Sequence, residues 1–176
     1  MRVTKQYIEK LIKEELNKTL RENDQANPGR VFRSPTLFDG FRNTSQINDP
    51  NIKPNGLWYS CGSEWDDWCE SEMPDWIDRA PHVYNLQINP SNMLIIRTGE
   101  ELEAFNEEFG SGDIPLIDWK KVAEQYDGIE ICPYQWDYRL ANNFLWYYGW
   151  DVASGCIWNE GGFKSVEKIK DLCRSL

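Results

Sequence analysis

The sequence predicts an α+β fold, in which helices flank a largely antiparallel β-sheet. Three observations support this prediction. Strand-like segments occur first, last and between helical segments along the body of the chain. Aromatic residues make up 14% of the chain, whereas disordered chains are poor in them. A chain of 176 residues has the length of one domain. A domain of this size buries roughly two thirds of its unfolded surface.

The individual elements follow from periodicity and from capping residues. The predicted strands are 30–33, 57–60, 83–88, 93–96, 129–132 and 156–158, with 166–172 as a strand or a helical turn. The predicted helices and caps are 64–69 with Ser63, 99–109 with the capping box of Thr98 and Glu101, and 119–125 with Asp118. The aromatic region 134–150 has no clean period and is predicted as loops and helical turns.

Residues 1–22 are predicted to form an amphipathic helix, because one apolar stripe recurs at steps of three to five residues. The stripe consists of Val3, Tyr7, Ile8, Leu11, Ile12, Leu16 and Leu20. A turn-rich linker follows at 23–29, and the main domain is predicted to span 30–176. The helix is expected either to pack on that domain or to be a detachable leader.

The leader interpretation comes from a resemblance. The Lys/Glu-rich segment resembles the leaders of tailed-phage proteins that are packaged into the head and cleaved after a Leu/Ile-x-Glu triplet. Ile12-Lys13-Glu14 fits that triplet. The resemblance implies a phage protein with a role in host takeover, located in the cytoplasm of the host cell or packaged in the virion.

The chain carries a formal net charge of −10. A field of this sign repels phosphate backbones and anionic lipid surfaces, so it disfavours non-specific nucleic-acid binding and membrane binding. No apolar run is long enough to span a bilayer, and the charged N-terminus lacks a signal-peptide pattern. We therefore expect a cytoplasmic protein without a membrane partner.

The cysteines indicate neither a zinc site nor a disulfide framework. There are five of them, no pair has CxxC spacing, and the chain contains one His. They are Cys61, Cys69, Cys132, Cys156 and Cys173. We expect reduced thiols, as is usual in the cytosol, and no metal centre.

Three segments, in this order, resemble the ADP-ribosyltransferase fold. The first is the turn and strand Lys53-Pro54-Asn55-Gly56-Leu57-Trp58-Tyr59-Ser60. The second, 83–109, has two strands followed by an acidic helix. The third, 119–158, contains Tyr126-Asp127-Gly128-Ile129 and a late strand that ends in an aromatic residue before Asn159. The resemblance covers about 30–169 and implies a split antiparallel sheet with flanking helices.

The resemblance also implies a function. NAD would be the substrate, and the enzyme would be a mono-ADP-ribosyltransferase that modifies an unidentified acceptor, expected to be a host protein. Cleavage of the bond between nicotinamide and ribose passes through an oxocarbenium-like transition state, as glycoside cleavage does. Such chemistry needs a carboxylate near the ribose and a cation for the pyrophosphate.

The resemblance assigns the NAD-binding residues to two strands. Arg33 lies where the family places a cation on the first strand, with Ser34 beside it. The alternative for Arg33 is an exposed strand residue. Trp58, Tyr59 and Ser60 belong to the middle motif. Since Trp58 and Tyr59 alternate along the strand, one is expected to face the core and the other the ligand.

The catalytic acid is the point at which the chain departs from the family. Ser154 occupies the usual Glu position, so Asp151, three residues earlier, is predicted to be the catalytic acid with Ser154 beside it. The rival acids are Glu130, Asp137 and Glu160. Glu130 and Asp137 are predicted to be solvated carboxylates, and His82 is predicted to be a surface or edge residue.

Two other classes of function stay open. Nine tryptophans are typical of carbohydrate-binding surfaces, but those modules are usually all-β and secreted. The other alternative is a non-catalytic phage or host-modulating protein that keeps the fold and uses its acidic surface to occupy a basic site on a host protein.

Overall fold

A computed structural model describes residues 29–48, 53–111 and 115–171. The predicted N-terminal helix or leader, nearly all of the linker, and Cys173 lie outside the described residues. Among the described residues, no helix has the length and apolar character needed to cross a membrane.

The described chain is α+β, as predicted. Its strands are β1 Arg30–Ser34, β2 Leu57–Cys61, β3 His82–Ile88, β4 Met93–Ile96, β5 Gly128–Ile131, β6 Ser154–Ile157 and β7 Phe163–Asp171. Its α-helices are α1 Glu64–Glu72, α2 Pro74–Arg79, α3 Gly99–Phe109 and α4 Trp119–Ala123. The aromatic region after β5 contains only loops and two 3-10 turns, Trp136–Tyr138 and Leu145–Gly149.

The seven strands form one sheet in the order β4-β5-β6-β2-β1-β3-β7. Only β4 and β5 run parallel, and the other neighbours are antiparallel. The sheet is therefore largely antiparallel, as the sequence predicts. Met93 of β4 and Ile88 of β3 share one apolar cluster although four strands separate them, so the sheet is curled.

Both faces of the sheet are covered. Cys156 and Ile157 are successive residues of β6 and therefore face opposite sides. The Cys156 side packs against α3, α4 and the aromatic region, where Trp119, Trp146, Trp150 and Trp158 are fully buried. The Ile157 side holds a smaller cluster inside the curl, which includes Phe32 and Tyr84. Edge-to-face contacts between the indoles, such as Trp119 with Trp158, stabilise the larger core.

The three predicted N-cap residues stand at the starts of their helices, and two of them accept a capping hydrogen bond. Thr98 Oγ1 accepts a hydrogen bond from the Glu101 amide, and the Glu101 carboxylate accepts one from the Thr98 amide, which completes the capping box. Asp118 accepts a bond from the Lys121 amide. Ser63 occupies the predicted N-cap position of α1, but its hydroxyl donates to the Asp67 carboxylate and accepts no bond from an amide of the first turn.

Replacing Thr98 by alanine is expected to destabilise the protein by about 1 kcal/mol, because the first turn of α3 loses an acceptor for an otherwise unpaired amide. Denaturant melts measure the change. Thr36→Ala is the matched control, since Thr36 is exposed and lies in a loop. An equal shift of the two midpoints would contradict the role of the cap.

The prediction of reduced thiols is wrong for two cysteines. Cys61, at the end of β2, forms a disulfide with Cys132, which directly follows β5. The two residues are 71 positions apart, so spacing gave no sign of the pairing. Cys69 and Cys156 are free and buried.

Candidate functional site

A cleft of about 490 Å³ lies on the Cys156 side of the sheet. Its floor includes Val31 of β1, Ser60 of β2 and Ser154 of β6, three strands that are neighbours in the sheet. Trp65 of α1 and Trp76 of α2 form part of its wall. The helical hairpin α1–α2 thus covers the part of the sheet that α3 and α4 leave open, and the cleft lies beneath it.

The structure brings together six of the seven residues that the sequence suggested for the site. Those lining the cleft are Arg33, Trp58, Tyr59, Ser60, Asp151 and Ser154. Ser34 is not among the lining residues, and its hydroxyl accepts a hydrogen bond from the Thr36 amide at 3.3 Å. It follows Arg33 on β1 and therefore faces the opposite side of the sheet.

Arg33 is paired within the protein. Its Nε and Nη2 donate to the two carboxylate oxygens of Asp66, at 2.5 and 2.6 Å. Its side chain is only 5% exposed, so the alternative of an exposed strand arginine is wrong. This fork-to-fork pair ties α1 to β1 and neutralises the guanidinium charge. Lys53 and Arg79 are the other cations that line the cleft.

The two serine hydroxyls of the floor donate to backbone carbonyls. Ser60 Oγ lies 3.2 Å from the carbonyl oxygens of Val31 and Gly62. Ser154 Oγ donates to the Val152 carbonyl at 2.9 Å. Each hydroxyl oxygen keeps lone pairs with which it can accept a bond from a ligand.

Asp151 lies between two cations. Its carboxylate is 3.8 Å from Lys53 Nζ and 3.5 Å from Arg139 Nη2. Lys53 also lies over the Trp58 ring, 5.2 Å from its centroid. Burial lowers the pKa of Lys53, because it disfavours the charged amine, and the neighbouring Asp151 opposes this effect. The cleft thus holds a half-buried carboxylate next to an amine that loses its proton more readily than usual.

Glu130 is not the solvated carboxylate that the sequence suggested. It is 1% exposed and lies on β5, on the opposite face of the sheet from the cleft. Arg30 donates to both of its oxygens and the Tyr59 hydroxyl donates to one of them, at 2.9 Å. A Cβ at Gly155 would overlap the Tyr59 ring, so this glycine allows the ring to cross β6 toward Glu130.

This network also determines the orientation of Tyr59. Both Trp58 and Tyr59 line the cleft, but the Tyr59 hydroxyl turns away from it to Glu130. The two neighbours on β2 therefore differ in direction, as alternation predicts, and contact of one ring with a ligand stays a prediction. Burial, together with the nearby negative charge of Glu130, raises the pKa of Tyr59 well above its usual range.

The remaining candidates lie outside the cleft. Asp137 and Glu160 are exposed in 3-10 turns. For Asp137 this agrees with the prediction of a solvated carboxylate. His82 is half-buried at the start of β3, and its backbone pairs with Ser34 of β1. Since β3 lies between β1 and β7, His82 is not on an edge strand.

Most of the residues that form the wall of the cleft were not predicted from the sequence. The indole cluster, which consists of Trp65, Trp68 and Trp76, packs with centroid distances of 5.0 to 5.9 Å. The three-residue spacing of Trp65 and Trp68 could have indicated part of this cluster, because it places both rings on one face of a helix. Nothing in the local sequence of Arg79 or Lys53 indicates that they line the same cleft as Trp65 and Trp76.

Among the described residues, the cleft offers three kinds of contact to a small molecule: flat indole faces, three cations, of which Arg33 is paired with Asp66, and the Asp151 carboxylate. Its volume falls within the range of roughly 300–1,000 Å³ that is typical of small-molecule sites. Comparison of the chain with models of protein families, with curated proteins and with solved structures gives no match.

Proposed function

We propose that the chain is an NAD-dependent mono-ADP-ribosyltransferase that binds NAD in this cleft and modifies a host macromolecule. One observation carries the proposal. Asp151, suggested as the acid from its position in the chain, lines the same cleft as Trp58, Ser60 and Ser154. Indole faces suit the planar rings of a dinucleotide, and the cations suit its pyrophosphate.

Asp151 has the central role in the proposed mechanism. The glycosidic bond between nicotinamide and C1′ of the ribose breaks, and its electron pair leaves with nicotinamide. The carboxylate stabilises the positive charge that develops on the ribose. The acceptor then forms a bond to C1′ and gives its proton to Asp151. Ser154 lies on the floor beside this reaction and orients the ribose through its hydroxyl oxygen.

The pyrophosphate has three candidate cations, which differ in how they are held. Arg33 binds Asp66 through its Nε and Nη2 atoms, so a phosphate would have to replace that carboxylate. Lys53 lies 3.8 Å from Asp151, and Arg79 is exposed at the wall. We therefore propose that Lys53 and Arg79 receive the phosphates first, and that Arg33 contributes after exchange with Asp66.

Asp151→Asn is expected to abolish turnover and to leave NAD affinity within a few-fold of the original, because the charge acts mainly on the transition state. Transfer of radiolabelled ADP-ribose measures turnover in the presence of host lysate, and calorimetry measures NAD affinity. Asp137→Asn is the matched control, since Asp137 is exposed and outside the cleft. Full activity in Asp151→Asn would overturn the assignment of the acid, and absence of NAD binding by the unsubstituted chain would overturn NAD as the ligand.

The second candidate function is a non-catalytic phage or host-modulating protein. It is favoured by Ser154, which stands where the family has its usual Glu and whose hydroxyl is bonded to the backbone. On this proposal the surface with its net charge of −10 binds a basic site on a host protein. NAD binding without transfer, together with capture of one host protein at low salt, would favour it over the enzyme.

A further inference from the structure

Two cysteines and a glutamate converge on the side of the sheet opposite the cleft. The ligand atoms of Cys61, Glu130 and Cys132 all lie within 4.8 Å of one another. Glu130 lies on β5, and Cys132 directly follows the last residue of this strand. Cys61 ends β2 and has its Cα 6.5 Å from that of Cys132. The ends of β2 and β5 thus position three potential metal ligands.

All three residues are buried, with exposed fractions of 4% or less. Arg30 and Tyr59 hold the Glu130 carboxylate from the side through three hydrogen bonds. Groups that bind a ligating carboxylate in this way fix its orientation and increase metal affinity. The carboxylate is therefore held in place before any ion arrives.

We propose that the reduced chain binds a zinc ion through the thiolates of Cys61 and Cys132 and the carboxylate of Glu130. The disulfide is then the oxidised, metal-free state of the same site. A dithiol reductant supplies two electrons and two protons, which break the S–S bond and give two thiols, while the reductant becomes a disulfide. Zinc binding then displaces the two thiol protons into solution.

The charges of the site balance in both states. In the oxidised state the Arg30 cation offsets the Glu130 anion, and the disulfide is neutral. In the metal-bound state the ion adds two positive charges and the two thiolates add two negative charges. The net charge of this buried cluster stays at zero, so metal binding does not leave an uncompensated charge in the interior.

The ligand set also selects the kind of metal. Thiolates favour zinc and other soft ions over magnesium or calcium, which prefer oxygen ligands. Three protein ligands leave the fourth position of a tetrahedral ion to water. The free cysteines of the described ranges are elsewhere: Cys156 faces the other side of the sheet, where its Sγ lies 3.8 Å from the Pro54 carbonyl oxygen, and Cys69 is in α1.

Cobalt titration of the full chain tests the site. After reduction with a phosphine, Co²⁺ is expected to bind one equivalent and to give the ultraviolet charge-transfer band of a cobalt–thiolate bond, which Zn²⁺ then abolishes. The Cys69→Ser/Cys156→Ser variant is the matched control and should keep the band. Cys61→Ser and Cys132→Ser should each weaken it. Tyr59→Phe removes one bond to Glu130 and should lower Zn²⁺ affinity by about 10-fold.

A second measurement needs no substitution. Zn²⁺ should protect Cys61 and Cys132 of the reduced chain from alkylation, as read by mass spectrometry, and should raise the Tm of the reduced but not of the oxidised chain. The proposal is overturned if the reduced chain keeps its near-ultraviolet circular dichroism and binds no Co²⁺ or Zn²⁺. It is also overturned if Cys61 and Cys132 react equally fast with and without Zn²⁺.

Discussion

Replacing Glu130 by alanine is expected to destabilise the protein by about 3–5 kcal/mol, the usual effect of removing one partner from a buried ion pair. The substitution leaves the Arg30 guanidinium, whose side chain is 15% exposed, without its counter-charge. It also leaves the Tyr59 hydroxyl inside the protein without its acceptor. Both losses fall on groups that the fold has already removed from water.

Denaturant melts measure this effect, and Asp39→Ala is the matched control. Asp39 forms an ion pair with Arg42 in which both side chains are exposed, so its loss should change the free energy of unfolding by less than about 1 kcal/mol. Arg30→Met in the Glu130→Ala background should recover part of the loss, because it removes the unpaired charge. Equal destabilisation by Glu130→Ala and Asp39→Ala would show that the network contributes no more than a surface pair.

Trp158→Ala is expected to destabilise the protein by about 3–5 kcal/mol, because a large buried ring leaves a cavity that its neighbours fill only in part. Trp158 is 1% exposed, and its indole nitrogen donates to the Tyr126 carbonyl at 2.7 Å. Its ring meets Trp119 edge to face. The alanine variant therefore loses packing and leaves a carbonyl without its donor.

Trp136→Ala is the control, because it removes an indole that is not buried. Trp136 is 67% exposed, so its replacement should change the free energy of unfolding by less than about 1 kcal/mol. Both variants are compared by urea melts, with the slope of each transition checked for two-state behaviour. A loss below about 1 kcal/mol in Trp158→Ala would contradict its role in the core.

Local features of the fold were predictable from the sequence. The capping box of Thr98 and Glu101 depends on residues three positions apart, so the helix start can be recognised without knowledge of the rest of the chain. Strand positions followed from alternation in the same way. The last strand begins at Phe163, three residues before its predicted start, because it is extended by pairing with β3, which no local pattern reports.

The burial of Glu130 and the disulfide between Cys61 and Cys132 were not predictable, because both depend on contacts between distant strands. In Ile129-Glu130-Ile131 the alternation correctly places Glu130 opposite two core residues, and a carboxylate there is normally solvated. It is buried because the sheet curls and because Arg30 arrives from another strand. The pairing of Cys61 with Cys132 was missed for the same reason: the two residues meet only through strand order.

The candidate cleft was also predictable only in part. The positions of Arg33, Trp58 and Asp151 were suggested by resemblance alone, and the structure lines one cleft with all three. The pairing of Arg33 with Asp66 was not predictable, since the partner lies on a helix 33 residues away. The amine of Lys53 beside Asp151 likewise results from a contact between distant segments.

The indole cluster gives the protein a built-in optical signal. Trp65 and Trp68 stack with a centroid distance of 5.0 Å and an interplanar angle of 18°, and Trp76 is tilted against both. Indoles this close couple their electronic transitions, so the cluster should contribute a distinct band to the circular dichroism spectrum. Since Trp65 and Trp76 line the cleft, a ligand that enters it will disturb that band and the fluorescence of the same rings. Small molecules can therefore be screened against the unlabelled protein, with no assumption about which reaction follows.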